Sequence, residues 1–437
     1  MTVFPVNYGV KKNAYKKTVN GFLPSSVVIP LYLEESGECE PLVNPGDKVT
    51  EGQLIAVSKN KSLKSNVNIF SPIPGTVQSI ELTIMPRGKT VYGIRIKLQG
   101  TFSYLGKKIK PLDIKSFSPA SVIKKISNYG IFNSFITNEP KVFSEQLEKA
   151  RKNTNKLLIV RLFDEDPSRM ADQLVTSLFI QQVFTGAELT ALGMEADGIV
   201  FVGDKDFIES DLIKKHTFQI PVTVLQADSK KYPSTFIREI CDNAKKVIKE
   251  TPFDKINKHD VYTDSTTVFE VYRSLCFDKP VIDRYIHISG DCIPASGFIR
   301  VPLGTTIMNL AEHCGGFIKS PAAIIVNGMI NGVAAVSLDA PVTKYIKSIR
   351  FLPSMQSPDQ RQSVCVRCGN CRRVCPRQIS PDIIFRHISG GLAASPEYLK
   401  SAALCVDCGL CNSVCPARLP LSQSIYNYKS GDINDNQ

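Results

Sequence analysis

Tryptophan is absent from this 437-residue chain, histidine occurs only five times, and no apolar run approaches the roughly eighteen residues of a membrane-spanning helix. The missing run argues against a transmembrane segment. The first residues, MTVFPVNYGVKKNAYKK, lack a charged-then-apolar pattern and a small-residue cleavage site. The expectation is a chain that stays in the cytoplasm, where thiols are kept reduced. Long basic runs are missing too: lysines come in scattered pairs such as Lys11–Lys12, Lys107–Lys108 and Lys230–Lys231. Without an aromatic-basic ribonucleoprotein phrase, the net charge of +12 does not point to nucleic acid. It suits an anionic membrane surface or an acidic protein partner. The histidines form no pair at metal spacing. A hydrophobic content of 43% is that of a soluble globular protein.

Cysteine, by contrast, is plentiful and repeats. Eight of thirteen fall in two copies of one phrase, CVRCGNCRRVCP at Cys365–Pro376 and CVDCGLCNSVCP at Cys405–Pro416. Each is C-x2-C-x2-C-x3-C-P, the run found in two-cluster ferredoxins. Three thiols at steps of three can wrap a short loop around one face of an iron–sulfur cubane. The fourth lies too far along to close the same corner and reaches the other cluster, while proline turns the chain away. The spacing assigns Cys365, Cys368, Cys371 and Cys415 to one [4Fe–4S] cluster and Cys405, Cys408, Cys411 and Cys375 to a second. Zinc prefers two separated CxxC pairs around one tetrahedral ion, and two full copies fit that poorly. Cys39, Cys241, Cys276, Cys292 and Cys314 share no ligand spacing and read as buried thiols.

Between the copies, Ser380-Pro381 and Ser395-Pro396 each read as an N-cap followed by an N1 proline, and Gly390-Gly391 as a stop. Two short helices, near 381–389 and 396–404, would let the halves fold back with pseudo-two-fold symmetry. Residues 361–420 hold eight Lys or Arg against three Asp or Glu, a local net of +5. A basic shell stabilises the reduced form of a thiolate-ligated cluster and suits docking to an acidic electron carrier.

The rest of the chain reads as α/β plus β in several domains. Residues 1–114 carry turns at Pro45-Gly46-Asp47 and Pro72-Ile73-Pro74-Gly75 that bracket β-branched runs, as in a small lipoyl-type barrel-sandwich hybrid. Lys61 or Lys64 falls near the hairpin tip that carrier domains acylate, but the flanking residues form no carrier signature, so a structural hairpin is expected. Residues 115–257 alternate strand-like runs (Leu157–Leu162, Gly198–Val202, Val222–Leu225) with helical stretches (Asp172–Phe184, Pro233–Ile248), a Rossmann-like α/β pattern. No GxGxxG phrase occurs there. Residues 258–350 read as a β-grasp (SLBB-like) module, with a helix opened by Thr305-Thr306 and stopped by Gly315-Gly316. A linker at 351–364 leads into an α-helical double-cluster ferredoxin domain at 365–425, followed by a tail at 426–437.

In this order the chain resembles the RnfC family, a component of the membrane-bound, ion-pumping ferredoxin:NAD+ oxidoreductase known as the Rnf complex. The resemblance rests on GDKVTEGQ at 46–53, SPIPGTV at 71–77, HISGDCIPASGFIRVPLGT at 287–305, NGMING at 327–332, LDAPVTK at 338–344 and both cysteine phrases. It implies a peripheral subunit on the cytoplasmic face of the cell membrane. Such a subunit passes electrons between ferredoxin or another soluble carrier and membrane-embedded flavin subunits while Na+ or H+ moves. The chain departs from the family where FMN and NADH bind: YGIFNSFITNEP (129–140) and RLFDEDPSRMAD (161–172) replace the glycine-rich loop and its partner phrase. Only Pro140, Pro167 and the acidic Asp164-Glu165-Asp166 survive. Without the glycines backbone amides cannot approach a phosphate, and three carboxylates would repel one unless protonated or metal-bound. Loss of the FMN and NADH sites is therefore expected. The alternatives are an active NADH-oxidising flavoenzyme subunit resembling the cobalamin reductases, and a structural scaffold.

Overall fold

The computed structural model describes residues 4–5, 23–58, 67–353, 362–390 and 395–429. Lys61 and Lys64 lie outside these residues, as does much of the expected linker.

Two four-stranded antiparallel sheets build the first domain. One orders Ser26–Pro30, Thr90–Leu98, Gly75–Ile84 and Lys48–Val49, the other Tyr32–Leu33, Gly37–Pro41, Leu54–Ser58 and Asn68–Phe70. Alternating apolar residues (Val27, Ile29, Ile55, Val77, Ile94, Ile96) meet between them as one core, giving the barrel-sandwich hybrid. Gly46, at φ +95°, turns the chain between Asn44 and Asp47, whose carboxylate accepts from the Asn44 N–H at 2.7 Å.

Four parallel strands follow, in the order Val222–Gln226, Gly198–Gly203, Leu157–Arg161 and Val261–Asp264. The central two are buried residue by residue because helices cover both faces. The expected domain boundary at 257/258 is therefore misplaced. Strand Val261–Asp264 and helix Ser265–Phe277, assigned from the sequence to the β-rich piece, complete the parallel sheet. VYTDSTTVF is rich in β-branched residues on both sides of Asp264, whose carboxylate accepts from the Thr267 N–H at 2.7 Å and starts a helix mid-run. That helix crosses the long helix Ala171–Met194 at Gly186, where any Cβ would overlap the Val268 carbonyl.

A five-stranded mixed sheet comes next, in the order Gly297–Pro302, Asp283–Gly290, Ser348–Leu352, Ala323–Val326 and Val333–Ala334. Its one parallel pair joins His287–Gly290 to Ser348–Phe351. Thr306 caps helix Ile307–His313 by accepting from the Asn309 N–H at 3.2 Å, and Gly315 at φ +96° follows its end.

The C-terminal module is made of short helices: Asn370–Val374, Pro381–Ile388, Pro396–Ser401, Leu410–Ser413 and Leu421–Lys429. Ser380 and Ser395 precede helices as expected, but neither makes a side-chain cap; the N1 prolines alone pre-set the first turn. The last helix runs past the expected module end at 425, because Ile425 is buried in the module and Lys429 is tied to it.

Lys344, in the LDAPVTK phrase, joins three of these domains. Its buried ammonium donates to the Asn68 carbonyl at 3.0 Å and the Gly130 carbonyl at 2.9 Å. Gly130 is required there, since a Cβ would overlap the ammonium. Burial pulls the Lys344 pKa from 10.5 down to about 8. The folded chain then holds fewer protons than the unfolded chain between those values, so this residue makes stability rise with pH from about 8 to 10.5. Urea midpoints measured across that window should climb in the parent and climb less in Lys344→Met; equal slopes would place their origin elsewhere.

Candidate functional site

The repeated phrase has a repeated backbone. Arg367, Gly369 and Gln378 take φ of 55°, 72° and 55°; forty positions on, Asp407, Gly409 and Arg418 take 52°, 70° and 52°. Each left-handed residue coils its loop so that three thiols face one side, and the short helices Asn370–Val374 and Leu410–Ser413 carry the third cysteine inward. One cavity is lined by Cys365, Cys368, Cys371 and Cys415, with Val366, Pro416, Ala417, Leu419 and Leu421. The other is lined by Cys405, Cys408, Cys411 and Cys375, with Pro376, Ile379, Val406 and Ile425. Each lining thus takes three thiols from one phrase and one from the other.

Among the described residues no group of three or more His, Cys, Asp or Glu side chains is arranged to hold a single metal ion. Four soft sulfur donors in a largely apolar lining, with Asp382 beside the first set and Ser422 beside the second, fit an iron–sulfur core. Burial pushes the thiol of Cys371 up to about 11 and those of Cys405 and Cys408 up to about 12. Loading such thiols with metal must therefore release protons.

Each cavity also has a paired carboxylate beside it, which the spacing of cysteines could not reveal. Asp382 lies 3.8 Å from the Cys371 sulfur and accepts both arms of Arg372 at 2.6 Å. Asp407 lies 3.5 Å from the Cys405 sulfur and accepts from Lys429 at 2.8 Å. A carboxylate unpaired at either place would oppose charge on the thiolates; the cations cancel it.

The second cavity is joined to the body of the protein. Tyr232, fully buried, donates to the Cys408 carbonyl at 2.5 Å. It packs with Phe236, Leu410, Ile330 and Val406. Gly409, at φ +70°, lies so close to the Ile330 carbonyl that a Cβ would overlap it. Ile330 belongs to the NGMING turn, whose amides reach the other way: the Ile330 N–H donates to Asp166 at 2.8 Å. Nothing around Tyr232, in KYPSTF, marks it in the sequence.

Asp166 belongs to the acidic loop at the carboxyl end of strand Leu157–Arg161, where an open α/β sheet ordinarily binds a nucleotide. Here protein groups fill that place. Arg161 is buried over the Phe135 ring at 4.1 Å and donates to the Phe135 carbonyl at 2.9 Å. It pairs with Glu165, which also accepts from Arg169 at 2.6 Å. Burial opposes charge on Glu165, but the two guanidiniums outweigh it and hold the carboxyl at about 2. Asp166 accepts from Ser168 at 2.6 Å. Asp164 accepts from the N–H groups of Asp172 and Gln173 at 2.8 and 3.3 Å, occupying the start of the long helix where an anionic phosphate would otherwise sit. Within the fold Glu165 is answered by arginines and Asp166 by N–H and hydroxyl donors. Asp164 is pushed up, by burial and then by Asp172. A flavin phosphate does not fit this arrangement.

The remaining cysteines, Cys39, Cys241, Cys276, Cys292 and Cys314, are buried apart from either cavity. Among the described residues no helix is long and apolar enough to cross a membrane.

The chain thus joins barrel-sandwich, α/β and mixed-sheet units to a module with two four-thiol cavities. Residues 7–101 match the RnfC barrel sandwich hybrid domain. Over 84% of its length the chain is 25% identical to the C component of the ion-translocating oxidoreductase complex of Rhodobacter capsulatus, covering 71% of that protein. It is 26% identical to the protein of the same name from Methanosarcina acetivorans, covering 82% of this chain and 81% of that one. Against the C component of the Na(+)-translocating ferredoxin:NAD(+) oxidoreductase complex of Acetobacterium woodii it is 25% identical, covering 83% and 81%. The resemblance to the RnfC family read from the sequence holds. A chain of an NAD+-reducing [NiFe]-hydrogenase superposes at a TM-score of 0.46 with 12% identity; this chain covers 61% of it, a likeness too loose to bear on the site.

Two substitutions test this geometry. Gly409→Ala meets both a left-handed backbone and the Ile330 carbonyl, whereas Gly369→Ala meets only the backbone strain. Gly409→Ala should therefore lose more thermal stability, with equal losses counting against the close approach. Arg169→Met leaves buried carboxylates unanswered and should cost about 3 kcal/mol or more in urea unfolding; a neutral result would contradict the ion-pair assignment.

Proposed function

We propose that the chain is an iron–sulfur electron-transfer subunit of a membrane-associated, ion-translocating Rnf-type complex. The supporting observation is the pair of crossed four-thiol cavities. In this reading Cys365, Cys368, Cys371 and Cys415 hold one [4Fe–4S] cluster, and Cys405, Cys408, Cys411 and Cys375 hold the other. Such clusters supply reversible one-electron transfer when bound. The chain's own residues set the conditions. The second cavity is screened by the protein body, the local +5 charge favours the reduced state, and Arg372 and Lys429 cancel the nearby carboxylates. The α/β domain is a Rossmann-like scaffold without an FMN or NADH site, since Arg161, Glu165 and Asp164 stand where a phosphate would bind. The mixed sheet is a β-grasp (SLBB-like) module carrying the NGMING turn. The partners are the other membrane subunits of such a complex and ferredoxin or another soluble carrier, met at the cytoplasmic face.

Anaerobic purification with iron, sulfide and flavin quantified on one sample tests this directly. The expected result is about eight irons and eight sulfides per chain, with no stoichiometric flavin. Stoichiometric zinc would break the cluster assignment; one FMN per chain, with NADH-dependent bleaching, would restore the flavoenzyme reading. The crossing has its own test. Cys415→Ala should deplete the cluster of the first phrase and Cys375→Ala that of the second, each leaving about four irons. Depletion following the phrase that carries the mutation would refute it.

A further inference from the structure

The two halves of the cysteine module share a backbone but not an environment. In the second half, Val406, Cys408 and Leu410 are covered by Tyr232, Phe236 and Ile330 of the protein's own body. Forty positions earlier, Val366, Cys368 and Asn370 occupy the same places in the repeat; Val366 and Cys368 are exposed, as is Arg367 between them, and Asn370 is half-buried. Val366 is 64% exposed and Val364, just before the first cysteine, is 87% exposed. The sequence differs to match: Asp407 becomes Arg367, Leu410 becomes Asn370, and Ser413 becomes the exposed Arg373. One face therefore carries its cover within the chain. The twin presents Val366 and an exposed ligand-position cysteine with Arg367 between them, and Arg373 follows on the next helix. Val364 is exposed as well, though its counterpart Leu404 is also 50% exposed, so Val366 carries the difference.

We infer that the face formed by Val364, Val366, Arg367, Cys368 and Arg373 docks an acidic one-electron carrier protein whose contact surface has an apolar centre. The inference rests on the cluster reading above. The twin face supplies the template, since its apolar cover lies directly against Cys408. Charge selects the partner, because exposed guanidiniums favour carboxylates at the rim and speed encounter. It also gives the relay a polarity: the first set of four cysteines is the port, and the second is the interior station.

The test uses the full-length, cluster-loaded chain and a reduced acidic two-cluster bacterial ferredoxin as probe, followed by anaerobic stopped-flow absorbance. The parent's second-order rate constant should fall steeply with added salt. Arg367→Asp, which copies the residue at the twin position, combined with Arg373→Glu should lower it about tenfold at low salt. Val366→Asp should lower it too, by interrupting the apolar centre. Lys214→Glu, at a lysine whose side chain is 80% exposed on the α/β domain, should leave it unchanged. Parent rates in both face variants would overturn the docking site, as would a stable dimer that shields Val366 from solvent. Failure of the underlying reading shows separately, as an anaerobically purified chain without iron, and takes the docking site with it.

Discussion

Neither cysteine phrase can complete a four-thiol set from its own residues, because the fourth cysteine of each follows a turn of helix that carries it away from the first three. Each set borrows from the other. That exchange forces the two halves to fold against one another, and the intervening helices Pro381–Ile388 and Pro396–Ser401 bring the chain back. The module's apolar contacts are few: Leu419, Leu421 and Ala417 on one side, Ile379, Ile384 and Ile425 on the other. For so small a core, the proposed ligand bonds through crossed cysteines would act as a staple, as metal sites do in other small domains.

The second constraint is the NGMING turn. One side meets Gly409 and Tyr232 at the second cavity; the other donates amides to Asp166 in the acidic loop. The acidic loop thereby acts as a joint between the parallel sheet and the cysteine module. Buried carboxylates on their own would be costly, and they persist because Arg161, Arg169 and backbone N–H groups answer them. The place where an α/β sheet would offer bare amides to a phosphate is thus used for internal wiring.

The cysteine grouping was legible because metal-ligand spacing is local and short. Barrel-sandwich strands were legible for a related reason: period-two alternation between proline and glycine turns is written in contiguous residues. The fourth strand of the parallel sheet was not, since VYTDSTTVF places β-branched residues on both sides of the Asp264 cap that divides strand from helix. Lys429 and Tyr232 were illegible as well. Their partners, Asp407 and the Cys408 carbonyl, lie 22 and 176 residues away, and long-range contacts of that kind leave no periodicity. The acidic loop is legible as unlike a phosphate site, but its counter-charges are not: Arg161 and Arg169, four residues to either side of Glu165, meet it only once the loop is folded.

If the proposed clusters are held by exchanged cysteines, they must sit close enough to influence one another. Electron paramagnetic resonance of the anaerobically purified, dithionite-reduced chain therefore tests the central claim most directly. The account predicts a spectrum of two mutually interacting reduced clusters, broadened relative to either alone, that collapses to a simple single-cluster signal in Cys375→Ala and in Cys415→Ala. A parent spectrum already showing one isolated cluster, or no iron–sulfur signal in a sample carrying stoichiometric zinc, would contradict it.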